Sequence, residues 1–131
     1  MKTTQLTKNF NISEFRCKDG TDVPDQYECN VILLASQLQI LRDIVGVSIH
    51  INSGYRTPAY NAKLEGSAVQ SQHLLAKAAD ITTINYSPKQ LADLIEKLIA
   101  EGKLPFIKGL GRYKGFTHID VRKTKARWGK N

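Results

Sequence analysis

From Val31 to Val45 the apolar residues Val31, Leu34, Ala35, Leu38, Leu41 and Val45 recur at helical spacing, and VSIHIN (47–52) then alternates with the period of a strand. A chain that changes period across one glycine, Gly46, has to lay a helix on a sheet, because each apolar face needs the other to leave water. The same pairing returns downstream. AADITTI (78–84) reads as a second strand. Ser87-Pro88-Lys89-Gln90 then supplies an N-cap, a proline at the first helical position and a glutamine that closes a capping box. The helix so opened carries Leu91, Leu94, Ile95, Leu98 and Ile99 on one face and stops before Gly102. FIKGLGRY (106–113) and FTHIDVR (116–122) are two β segments joined by a tight turn at Lys114-Gly115. The first helix is expected to begin near Asp25, with Pro24 ahead of it and Glu28 three residues on as in a capping box, and Ser13 to cap a short turn at Glu14–Arg16. The predicted class is α+β, a small, mostly antiparallel sheet with helices packed on one face.

Residues 54–72 are rich in Gly, Ser, Asn and Pro, which predicts a long surface loop with one short helix around Ala59–Leu64. Ordered loops of that length usually carry function. No repeat or linker interrupts the 131 residues, so residues 1–131 are read as one domain. No apolar run is long enough to span a bilayer, and MKTTQLTKNF lacks the apolar stretch of a signal peptide, so synthesis in a cytoplasm is expected. The net charge of +7, from 19 Lys+Arg against 12 Asp+Glu, favours polyanionic partners such as anionic cell-wall polymers or nucleic acid. No nucleic-acid-binding motif accompanies the charge, and no nucleic-acid partner is expected. Much of the excess lies in RKTKARWGKN, read as a solvated tail. Cys17 and Cys29 show no CxxC spacing and are taken as free buried thiols.

Of the three histidines, His50 lies within the first strand, while His73 and His118 lie at the edges of the proposed loop and hairpin. In FTHIDVR the strand period puts Phe116, His118, Asp120 and Arg122 on one face and Thr117, Ile119 and Val121 on the other, which is apolar enough to be the core face. His73 and Asp80, in SQHLLAKAAD, are seven residues apart, about 10 Å along a continuous helix. Zinc holds nitrogen and oxygen ligands at about 2.0–2.2 Å, so both residues reach one ion only if the chain bends between them. Small residues at Ala76, Ala78 and Ala79 permit such a bend from a helix end into a strand. On residue types alone, a zinc site and a scatter of unrelated surface and core residues both remain open.

SGYRTPAYN (53–61), SQHLLAKAAD (71–80) and GLGRYKGFTHIDVR (109–122), in that order, resemble the zinc D-alanyl-D-alanine carboxypeptidases and the L-alanyl-D-glutamate endolysin peptidases, a family with a hedgehog-like fold. The NISEFRC opening (11–17) resembles one branch, so the likeness covers nearly the whole chain. The resemblance implies His73, Asp80 and His118 as ligands of a zinc cofactor, with a position left open for water or substrate. It implies Arg56 as the partner of a substrate carboxylate or of the oxyanion formed in the transition state, the alternative being a loop ion pair. Ser71 resembles the serine beside the substrate carboxylate, the alternative being a turn cap. Tyr55 could wall the cleft, with core packing as its alternative.

Two positions depart from the pattern. Ala76 replaces the usual glycine, which matters if its φ is positive. Gly115 stands where many members carry an acidic general base. Asp120 is the nearest substitute, either as base or as the residue that orients a ligand histidine, and Glu65 is a further choice. The expected function is zinc-dependent hydrolysis of peptidoglycan stem peptides, of the carboxypeptidase or the endopeptidase type, by a monomer released to the cell wall as a phage or prophage lysis enzyme. The alternative is a non-catalytic, zinc-containing wall-binding or phage structural module of the same fold.

Overall fold

The computed structural model describes residues 4–64 and 71–129. Five strands make one sheet: β1 (Ile49–Ser53), β2 (Ala78–Thr83), β3 (Gly109–Arg112), β4 (Thr117–Asp120) and β5 (Ala126–Gly129), in the order β1-β2-β4-β3-β5. The pairings β1–β2, β2–β4 and β4–β3 are antiparallel, and β3–β5 is parallel. Among the described residues three α-helices accompany it: α1 (Glu28–Val45), α2 (Pro58–Lys63) and α3 (Pro88–Ala100). The α+β expectation holds.

Local chemistry explains the helix ends. Ser87 Oγ accepts the Gln90 N–H at 3.1 Å while Gln90 Oε1 accepts the Ser87 N–H at 2.8 Å, a closed capping box worth about 1 kcal/mol. Gly46 closes α1 at φ +73°, its N–H bonded to the Arg42 carbonyl. The start of α1 differs from expectation. The chain enters through a 3-10 turn, Asp25–Tyr27, and neither Pro24 nor Tyr27 makes a side-chain cap bond. At the N-terminus Asn11, not Ser13, caps the turn Ile12–Phe15, with Glu14 reaching back to the Asn11 N–H.

One face of the sheet is the core. α3 buries Leu91, Ala92, Ile95 and Leu98 and packs against β2, β3 and β4. Ile81, Leu110 and Ile119 meet it from the strands, and Val31, Leu34, Leu38 and Leu41 of α1 join the same cluster. Each large aliphatic side chain there contributes about 1.5–3 kcal/mol by leaving water. Buried polar groups on the helical side are satisfied: Gln37 Oε1 accepts the Phe106 N–H at 3.1 Å, and Thr117 Oγ1 donates to the Pro88 carbonyl at 2.9 Å. The opposite face of β2 and β4 carries Asp80, His118 and Asp120.

Two further expectations need correction. Residues 126–129 are a strand rather than a solvated tail. Arg127 forks onto Glu96 of α3 at 2.7 and 2.8 Å and donates to the Lys108 carbonyl at 2.6 Å, so a charge counted as solvated is a fastening. Cys17 is buried as expected, but Cys29 is exposed near the start of α1; both are free. Among the described residues, no helix is long and apolar enough to cross a membrane.

Candidate metal centre

The bend required between His73 and Asp80 is present. A short 3-10 turn, Gln72–Leu75, is capped by Ser71, whose Oγ accepts the His73 N–H at 3.2 Å. Ala76 then reverses the chain in the left-handed region, φ 57° and ψ 31°, and β2 begins at Ala78. Ala76 therefore holds a conformation that glycine adopts without strain. Ser71 here is a cap, and Asn30 Nδ2 ties the turn to α1 through the Leu75 carbonyl at 2.9 Å.

The SGYR segment holds His73 from both sides. The Gly54 carbonyl lies 2.7 Å from His73 Nδ1, and the Arg56 N–H bonds the His73 carbonyl at 3.0 Å. Gly54 is obligatory on space alone, since a Cβ there would lie 2.7 Å from the Phe15 carbonyl oxygen. A carbonyl can only accept, so Nδ1 carries the proton and Nε2 presents a lone pair. That Nε2 is 3.2 Å from Asp80 Oδ1. Tyr55 is buried, its ring 6.1 Å from that of Tyr27, so it packs in the core.

His118 is oriented by Asp120. Its Nε2 is 2.7 Å from Asp120 Oδ2, and its Nδ1 is 3.0 Å from Asp80 Oδ1. Asp120 is fully buried, and Arg122 donates to both its oxygens, at 2.8 and 2.7 Å. Its carboxylate thus faces His118 and Arg122. Arg56 is similarly committed: it donates to Asp80 Oδ2 at 3.2 Å, to Ser53 Oγ at 3.2 Å and to Asn61 Oδ1 at 3.3 Å.

Sheet register assembles these parts. Asp80 pairs with His118 across β2–β4, His118 with Gly111 across β4–β3, and Gly111 with Trp128 across β3–β5. A register shift in β1 brings Ser53 opposite Asp80. One transverse row of the sheet therefore reads Ser53, Asp80, His118, Gly111, Trp128.

The donor set suits a cation. One ligand atom each from His73, Asp80 and His118 lies within 4.8 Å of the other two, and all three residues are buried. Both histidine nitrogens facing Asp80 Oδ1 have lone pairs when the rings are neutral, so the cluster needs a proton or a metal between them. Two imidazole nitrogens and one carboxylate oxygen are a zinc-type set. Burial pushes the His73 pKa down, further than Asp80 restores it. Burial also opposes charge on His118, but its hydrogen bonds to Asp120 and Asp80 outweigh this and hold it above the ordinary histidine value. Burial would raise both carboxylates. The two histidines nevertheless hold Asp80, and Arg122 with His118 hold Asp120, below the usual range.

Sequence reasoning missed Ser53, Asn61, the Gly54 carbonyl and Trp128. Two glycines at strand period, Gly109 and Gly111, facing His118 and Asp120 were the available signal. Glu65 lies outside the described residues, and Gly115 sits in an exposed turn where a Cβ would meet open space.

Compared with protein families, residues 5–120 match the family model described as Peptidase M15. No curated protein matches the chain.

Proposed function

Since the chain belongs to the peptidase M15 family, we propose that it is a zinc-dependent peptidase that hydrolyses peptide bonds in peptidoglycan stem peptides. The convergence of His73 Nε2, Asp80 Oδ1 and His118 Nδ1 carries this reading. These three residues would hold the zinc. Bound there, zinc would supply a Lewis acid for the scissile carbonyl and lower the pKa of a coordinated water toward ~7.

The surrounding residues supply orientation. The Gly54 carbonyl fixes the His73 tautomer, and Asp120 fixes that of His118, a positioning role that its two committed oxygens favour over proton transfer to substrate. Arg56 holds Asp80 Oδ2 and brings a planar cation to the centre, where it would meet a substrate carboxylate or a developing oxyanion. Ser71 would act from the turn that carries His73. The +7 charge favours approach to anionic cell-wall polymers. The bond class is either that of the D-Ala-D-Ala carboxypeptidases or that of the L-Ala-D-Glu endopeptidases.

The test is digestion of purified sacculi by the zinc-loaded protein, with soluble fragments separated and their new termini identified. New stem-peptide termini support the reading and name the bond. Gly115 favours a second reading, a non-catalytic wall-binding or phage structural module, because it gives the exposed turn no acid. Sedimentation with the wall at full zinc occupancy and without new termini would select that reading.

A further inference from the structure

The residues after Asp120 lie beyond the stretch that the family model matches, yet they complete the surroundings of His118. Gly111 is the register partner of His118 on one side and of Trp128 on the other. A Cβ on Gly111 would stand 2.5 Å from Trp128 Cε2, so the indole lies across bare glycine backbone. From there it reaches the His118 ring, with centroids 4.9 Å apart and planes at 56°. The indole is itself fixed: its Nε1–H donates to Tyr113 Oη at 2.7 Å, and the Arg122 guanidinium sits 5.1 Å from its ring centroid. That guanidinium is the one that binds both oxygens of Asp120.

We propose that Trp128 is a positioning residue of the metal centre, closing one side of the His118 ring so that Nδ1 stays directed at Asp80. Arg122 couples the two restraints. It holds the carboxylate that grips His118 Nε2 and also lies against the indole that covers the ring, while His73 meets the same ring edge-on at 5.1 Å. A rotation of His118 out of its ligand pose has to displace an aromatic side chain as well as break a hydrogen bond. The inference rests on the zinc reading of the site.

Zinc affinity of wild type, Trp128→Ala, Trp128→Leu and Trp128→Phe, measured by competition with a chromophoric chelator, tests it. Residues that orient a metal ligand typically account for 10- to 100-fold in affinity, and a loss of that size is expected for Ala and Leu, with Phe close to wild type. Imidazole NMR of the zinc-loaded proteins supplies the second readout: the His118 Nε2 proton is expected to exchange faster in the Ala and Leu variants. Melting of the zinc-free proteins reports folding, and Leu keeps an apolar body in the slot should Ala fail to fold. Variants that melt lower yet bind zinc as wild type and retain the His118 proton overturn the proposal, because Trp128 then only packs the sheet. A wild type that binds no zinc overturns the zinc reading together with it.

Discussion

Gly109 and Asp120 are register partners across β3 and β4, and a Cβ on Gly109 would stand 2.2 Å from both carboxylate oxygens of Asp120. The missing side chain is what lets a buried carboxylate lie flat against the neighbouring strand and face His118. Gly109→Ala should push that carboxylate out of line. Overpacking of this kind costs about 1–3 kcal/mol, and the lost orientation of His118 should weaken zinc binding by roughly 10- to 100-fold. Denaturant unfolding and chelator competition measure the two effects separately. Wild-type zinc affinity in a folded Gly109→Ala protein would show that Asp120 does not orient the ligand.

Arg56 should prove more than a surface cation. It is half-buried and holds the second oxygen of Asp80, so Arg56→Met leaves a buried carboxylate short of its partner. Removing one member of such a pair costs about 3–5 kcal/mol. Arg56→Lys keeps the charge but not the fork that spans Asp80, Ser53 and Asn61, so its loss should be smaller. Thermal melting of the zinc-free variants checks the order. Equal melting of Met and Lys variants would mean that the charge kept by lysine adds nothing, so that the fork alone, or neither property, is used.

Ala76 makes a backbone prediction. At φ 57° an alanine is tolerated, but a β-branched residue is strongly disfavoured, so Ala76→Val should cost about 2 kcal/mol or more and displace His73 relative to Asp80. Ala76→Gly relieves the backbone while losing a buried methyl and loosening the unfolded chain, so it should fall within about 1 kcal/mol of wild type. Chemical denaturation of both proteins decides it. A stable Val variant would place the strain elsewhere.

Proton release should count the histidines. At pH 6.5 His73, held below that ordinary value, is mostly neutral, and His118, held above it, is mostly protonated. Zinc binding should then release about one proton, from His118, by calorimetry in buffers of different ionisation heat. Release of two would mean that His73 is also charged. For the zinc-free protein the signs differ by residue. The His118 contribution is complete below pH 6.5 and lost as pH rises through its raised folded value, whereas His73 costs stability as pH falls below 6.5. Asp80 and Asp120 contribute fully above their ordinary value of 3.8 and lose that contribution as pH falls toward their lowered folded values. As far as these four groups decide, melting should peak near pH 6.5. A maximum displaced by two units in either direction would contradict the assignment.

Much of this site was legible because its parts are local. SQHLLAKAAD encodes its own cap, turn and strand start, and the HID alternation puts His118 and Asp120 on one face. β5 was not legible: its basic composition outweighed one tryptophan, and only the register with Gly111 shows where that ring lies. The role of Asp120 depended on Arg122, two residues away on the chain, folding back over the carboxylate, which spacing alone does not reveal. Ser13 was the expected cap of the first turn, and Asn11 takes that place because Glu14 reaches back to its N–H.

The divided carboxylate of Asp80 also bears on which ions can compete for this centre. One oxygen faces both histidines while the other is taken by Arg56, so the group can offer a cation only one oxygen without giving up its guanidinium partner. Hard ions that collect six or more oxygens, and calcium that favours bidentate carboxylates, find a poor match there, and a nearby positive charge as well. A bound metal would thereby be selected for its preference for imidazole nitrogen by Arg56, a residue outside the ligand set.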